Sequence, residues 1–296
     1  MKLPSIGFIG FGEAGHSIAK GLRGSGAEAL QAYDIHATDE QLGLIIRQRA
    51  SDARVRLVDS LGDLARSSDV IFSTVVAKVA EQVAIDVQPS LESRHFYADM
   101  NSVSPAVKQA ICQHVTSAGA RFVEVAIMAP VVPHGHRVPM LLAGADAPAL
   151  AQLLTPYGMR LETIGESIGS AAAVKMFRSI LFKGLEALIL ECLLGASRYH
   201  AEERVFASMS ESFPGFDWNR VANYLVGRTV LHGERRAREM EEVANTLRAM
   251  DIEPIMAEAT ARRIGWCAAL GLAGRLGNPP PEDYHTIMRA ITEAAG

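Results

Sequence analysis

The residues most able to do chemistry stand at the start of the chain. Gly7-Phe8-Ile9-Gly10-Phe11-Gly12-Glu13-Ala14-Gly15 places a GxGxxG pattern directly after a short apolar run and at the opening of a helical one. In that context Gly10 permits a tight turn, Gly12 lets the backbone approach a pyrophosphate, and Gly15 lets the helix lie close to the sheet. The phosphates then meet free N–H groups at a positively polarised helix end. The next apolar run ends at Tyr33-Asp34, and the acid falls about 20 residues past the last glycine, where a carboxylate binds ribose hydroxyls. It would repel a 2′-phosphate, and Ile35-His36-Ala37 bring no arginine to neutralise one, so the pattern favours NAD over NADP. The competing reading is that the glycines merely close turns and Asp34 ends a solvated strand.

A second constellation, Asp99-Met100-Asn101-Ser102-Val103-Ser104-Pro105, sets small hydrogen-bonding side chains between a strand and a helix, at the carboxyl end where ligands dock in an open sheet. Further on, Gly165 to Ser179 carries Lys175 inside an otherwise apolar helical run. His134 and His136 hint at a metal, but no carboxylate or cysteine accompanies them at ligand spacing, and loop histidines are commonly solvated. No metal is expected. His232, Arg235 and Arg236, read as the start of a helix, either bind an anion, from a partner subunit in one version, or form a solvated face paired with Glu239 and Glu242.

These residues need elements to hold them. Up to about Gly165, apolar or β-branched runs alternate with helical stretches, the pattern of a doubly wound, mostly parallel α/β sheet. Ile6 to Ile9, Ala29 to Tyr33, Val70 to Thr74, His95 to Asp99, Phe122 to Ala126 and Met140 to Ala143 read as strands. Ser60 to Asp63 offers a capping box, and Ser104-Pro105 a capped helix start. Beyond Ile168 strand signals stop, and punctuation at Phe213-Pro214-Gly215, Glu253-Pro254 and Gly277 to Pro281 separates helices. The expected domains are a dinucleotide-binding unit over 1–166 and an all-helical unit over 167–296, opened by one long helix from Ser170 to Ser197.

Composition bounds the rest. With 296 residues, 49% hydrophobic and 21% charged, the chain can bury two cores and is not a disordered one. A formal charge of −4 lacks the basic excess that binds nucleic acid. Met1-Lys2-Leu3 opens no signal peptide, since Gly7, Gly10, Gly12 and Gly15 interrupt any apolar core, and no run is long enough to span a bilayer. Cys112, Cys192 and Cys267 read as reduced core residues, which fits a cytoplasmic location, and Trp218 and Trp266 as core or interface aromatics.

With the fingerprint, the Asp-x-Asn-Ser segment and the Gly…Lys helix in this order and spacing, the chain resembles the β-hydroxyacid dehydrogenase superfamily of 6-phosphogluconate and 3-hydroxyisobutyrate dehydrogenases. Val174 to Ser179 and His232 to Ala237 resemble its phosphogluconate-dehydrogenase-like branch. The resemblance implies an NAD(P)-dependent oxidoreductase acting on a small anionic hydroxy acid, with Lys175 as acid/base and Asn101, Ser102, Arg178 and Ser179 at the substrate. Gly10, Phe11, Gly12, Glu13, Ala14, Gly15, Asp34, Thr74, Val75 and Asn101 are the expected cofactor contacts. It also implies a homodimer through the helical domain. Chemistry agrees, because a lysine among apolar neighbours is suited to exchange the proton of an alcohol. Lys175 also reads as a snorkelling helix residue, and Arg178 as a salt-bridge partner. Where relatives carry a glycine-rich Pro-Val-Ser-Gly-Gly segment, this chain reads Ala129-Pro130-Val131-Val132-Pro133-His134-Gly135-His136, which argues for a different substrate. Two alternatives remain open at this point: an imine reductase, and a dinucleotide-binding protein without catalysis.

Overall fold

A computed structural model describes residues 4–277 and 279–295, so Met1-Lys2-Leu3, Asn278 and Gly296 lie outside the described residues. Two compact units divide the chain, Met1–Lys175 and Met176–Gly296, with the division inside a long helix.

The first unit is built on one eight-stranded sheet: β1 (Ile6–Ile9), β2 (Leu30–Tyr33), β3 (Arg56–Leu57), β4 (Val70–Ser73), β5 (Phe96–Asp99), β6 (Arg121–Ile127), β7 (Met140–Ala143) and β8 (Leu161–Thr163). Its order is β3-β2-β1-β4-β5-β6-β7-β8. The chain therefore winds outward from β1 to one side, then returns to β4 on the other. That reversal between β1 and β4 is the switch point whose carboxyl edge forms a crevice. Helices α1 (Glu13–Gly24), α2 (Leu42–Ala53), α3 (Leu61–Arg66), α4 (Ala80–Val87), α5 (Pro105–Ser117) and α6 (Ala147–Leu154) connect the strands.

Alternation along each strand feeds two cores. Ile6, Phe8, Val70 and Phe72 pack on one face, and Ile9, Ile71, Tyr97 and Phe122 on the other. Register aligns Ile9, Ser73, Asp99 and Glu124 in one row across the sheet. Ser60 and Ser104 cap their helices as the sequence indicates, accepting from Asp63 N and Val107 N.

The mostly parallel sheet of the sequence reading contains one reversed strand, and two short strands go beyond that reading. β7 runs antiparallel to β6. The connection between them contains no crossover helix, and only a crossover can bring a chain back parallel. β3 and β8 were missed because one has two residues and the other is an edge strand of mixed character, too short to show a period.

The second unit holds most of α7 (Ser170–Ala196), then α8 (Glu202–Ser212), α9 (Trp218–Arg248), α10 (Ile255–Ala269), α11 (Ala273–Leu276) and α12 (Tyr284–Ala295). Helices α9 and α10 approach closely where a Cβ on Gly233 would lie 2.9 Å from Ala268 Cβ. His232, Arg235 and Arg236 therefore do not begin a helix; they sit in the middle of α9, which starts at Trp218 under the Asp217 cap. Gly233 is a helix-crossing residue. Of the cysteines only Cys267 is buried, and Cys112 and Cys192 are half-buried. No helix among the described residues is long and apolar enough to cross a membrane.

Candidate active site

The glycine turn between β1 and α1 separates two kinds of glycine. Gly10 has φ +83°, and a Cβ there would lie 2.8 Å from the Thr74 carbonyl oxygen. A Cβ on Gly15 would lie 2.9 Å from both Gly10 O and Thr74 Oγ1. The protein itself thus requires both positions to be glycine. Gly12 differs: its φ of −69° and ψ of −164° suit any residue, and a Cβ there would meet nothing within 4 Å. It caps α1 with no side-chain hydrogen bond, so the helix end is bare where a pyrophosphate would approach. Half-exposed Ala14 and exposed Glu13 form the first turn, and Phe11 is buried beneath it.

Asp34 ties this turn to β2. One carboxylate oxygen accepts from Phe11 N at 2.7 Å and the other from His36 N at 2.9 Å. A carboxylate offers about four lone-pair sites, so capacity for two ribose hydroxyls remains. Folding also brings a residue that sequence spacing could not reveal: Arg47 of α2 donates to Ala37 O at 2.5 Å, beside the loop that follows Asp34. The residues fit a dinucleotide.

At the adjacent strand ends, Thr74 Oγ1 donates to Gly10 O at 2.7 Å and Val75 N donates to Asn101 Oδ1 at 2.7 Å. Asn101 is buried, and its Nδ2 donates to Ser73 Oγ at 2.9 Å and to Asp99 Oδ1. Its carboxamide is thus engaged by protein partners, and neighbouring Ser102 is the exposed polar side chain of the pair. Below them Lys108, almost wholly buried, lies 2.7 Å from Asp99 Oδ2 and donates to Asp99 O at 2.7 Å. Sequence reading passed over Lys108, because one lysine in a helix signals only a solvated face.

Helix α7 starts against the same strand ends. Gly169, at φ +102°, is pressed against Pro105, the first residue of α5, and Gln109 Nε2 donates to Ile168 O at 3.2 Å. Lys175 stands one turn into α7 and is half-buried. Arg178 and Ser179 fall in the second unit, where the exposed Arg178 guanidinium lies over the Phe182 ring, 4.4 Å from its centre.

The histidines part ways. His134 is exposed, but His136 is buried, contrary to the expectation of solvated loop residues. Its Nε2 lies 2.9 Å from Ser25 Oγ and 3.0 Å from Tyr157 O, and its ring fills the notch left by Gly21 on α1. Burial holds its pKa below the ordinary value. The segment that replaces a glycine-rich loop is therefore fastened to α1 at its far end. No group of three or more metal-ligating side chains exists among the described residues.

In the second unit, Arg235 Nη1 donates to Glu239 at 2.6 Å, the helical pairing anticipated. Arg236 instead is buried and engages Glu186 of α7 through two bonds, one of them 2.8 Å long. Lys183 lies 2.9 Å from Glu239. His232 is exposed.

Residues 5–156 match the family model of the NAD binding domain of 6-phosphogluconate dehydrogenase. The chain belongs to that family. Residues 196–266 match a second model, a domain of unknown function, DUF1932. A conserved hypothetical protein from Sinorhizobium meliloti 1021 is 36% identical, with 99% of this chain and 97% of that one covered and a TM-score of 0.83. A conserved protein of unknown function, described as structurally similar to 3-hydroxyacid dehydrogenases, is 29% identical, covering 91% of this chain and 99% of that one at a TM-score of 0.76. Mycobacterium tuberculosis 3-hydroxyisobutyrate dehydrogenase shares the fold at 13% identity, with both chains fully covered and a TM-score of 0.77. The family and its hydroxyacid-dehydrogenase-like fold thus agree with the glycine turn and the helical second unit.

Proposed function

We propose that this family member is an NAD-dependent oxidoreductase that interconverts a small anionic hydroxy acid and its carbonyl form, with Lys175 as the proton carrier. The observation that carries the reading is Gly12, a glycine that nothing in the protein demands, at the bare end of α1. A bound nicotinamide dinucleotide supplies or accepts the hydride. Gly12, Glu13, Ala14 and Gly15 hold its pyrophosphate through main-chain N–H groups, Asp34 binds its ribose, and Thr74 and Val75 line its approach. Phe11 supports the turn from below, and Asn101 keeps the Val75 strand end in place. Ser102 contacts the substrate, a role that the family resemblance also gives Arg178, for its carboxylate, and Ser179. Lys175 takes the hydroxyl proton on oxidation and returns it to the alkoxide on reduction.

NAD is favoured over NADP because Asp34 repels a 2′-phosphate; Arg47 near Ala37 is the feature that would favour the opposite choice. The exposed apolar side chains of the second unit support a homodimer.

An absorbance screen at the reduced-nicotinamide band, over hydroxy acids and one cyclic imine with NAD(H) and NADP(H) in parallel, tests the reading. Turnover of a hydroxy acid is expected, faster with NAD. Turnover of the imine alone would replace it with an imine reductase, and NADH binding without any turnover would make the chain a silent binding protein. Lys175→Ala should lower kcat about 10²–10⁴-fold with the NADH Kd nearly intact. Unchanged kcat would remove Lys175 from the mechanism.

A further inference from the structure

One buried carboxylate takes no part in the scheme above. Glu124 sits in the middle of β6, fully buried between valines, where an unsatisfied carboxylate would cost several kcal/mol. Its two oxygens are both engaged at the start of α7. Oε2 accepts from Gly169 N and Oε1 from Ala172 N, each at 2.6 Å. The charge also faces the positive end of that helix. Other helices of this unit are capped by a serine or by no side chain at all.

Two more contacts fix the same turn. Ala171 packs on Ala126 and Ala143, small residues that share the Glu124 face of the sheet. Gly169 is held in its left-handed conformation against Pro105, where a Cβ would lie 2.9 Å from that of the proline. Lys175 follows Ala172 by three residues, a rise of about 4.5 Å. Its Cα therefore stands wherever this clamped turn puts it.

We infer that Glu124 is a positioning residue for Lys175: by holding the Gly169 and Ala172 N–H groups it fixes the first turn of α7 on the sheet edge, and so sets the geometry of proton transfer. This rests on the reading of Lys175 as the proton carrier. Glu124→Gln keeps the volume but turns one acceptor into a donor facing an N–H group, which loosens the turn. A misplacement near 1 Å costs on the order of 100-fold in rate, so kcat should fall about 10- to 100-fold. The NADH Kd should stay unchanged, and amide exchange from Ala172 to Lys175 should quicken.

The decisive arm is Glu124→Gln combined with Lys175→Ala. If Glu124 acts through the lysine, the double variant is no slower than Lys175→Ala alone. Wild-type kcat in Glu124→Gln, or losses that multiply in the double variant, would overturn the assignment. Full activity in Lys175→Ala would instead overturn the proton-carrier reading, a separate result from a separate variant. Should Glu124→Gln fail to fold, Glu124→Asp, charged but too short to reach both N–H groups, must show the same kcat loss at unchanged NADH Kd; wild-type kcat there would overturn the assignment equally.

Discussion

Gly10 and Gly15 are glycines because neighbouring backbone leaves no room, whereas Gly12 is a glycine beside open space. The motif is legible in sequence, but this distinction is not, since it depends on where Thr74 arrives from β4. Asn101 teaches the same lesson. Its position at a strand end is readable, yet its carboxamide is satisfied by Ser73, Asp99 and Val75, which no local pattern specifies. His136 escaped for a related reason, because its notch is a missing side chain on another element. It and His95 supply a pH prediction. Burial holds both imidazoles below their ordinary value of 6.5, so in the intermediate range an unfolded chain binds protons that the folded one refuses. Their contribution to stability is complete above pH 6.5 and is lost as pH falls below it toward the depressed values. The Tm should drop between pH 7.5 and 5.5, and His136→Asn should shrink that drop; an equal drop in the variant would refute the assignment.

Elements were easiest to read where a period had room to repeat. α7 spans Ser170–Ala196 where the apolar run indicates one long helix, and β1 and β7 match their runs, whereas two- and three-residue edge strands left no signal. Interhelical pairing was harder. The sequence offers Arg236 an anion or its helical neighbours Glu239 and Glu242, whereas its partner is Glu186, on another helix fifty residues away. Burial pushes the Glu186 carboxyl up, opposed by the Arg236 guanidinium. Removing the cation alone leaves a buried carboxylate uncompensated, so Arg236→Met should destabilise by about 3–5 kcal/mol. Glu186→Leu combined with Arg236→Met should recover most of that loss. Chemical denaturation of the two variants checks this, and equal destabilisation would contradict it.

For the whole molecule, the dinucleotide-binding fold was legible because glycine turn, acid and strand alternation all point one way. Substrate identity was not, because the segment Ala129 to His136 departs from the glycine-rich pattern, and its new contacts are with α1. Association follows from surface rather than motif. Leu181, Phe182 and Leu188 on α7 are all exposed, Leu181 at 77%, more apolar surface than one helical unit ordinarily leaves to water. Sedimentation equilibrium should find a dimer at micromolar concentration, and Leu181→Glu with Leu188→Glu should give a monomer; a monomeric wild type would refute the homodimer. The central claim, that a dinucleotide lies against Gly12, is tested most directly by titrating NADH into Gly12→Val. A valine there meets no protein atom in the way of its Cβ and costs only about 1 kcal/mol as a poorer helix cap. The account predicts a folded protein whose NADH affinity falls at least about 100-fold, as a branched side chain takes the pyrophosphate's place. A folded variant that binds NADH as wild type does would contradict it.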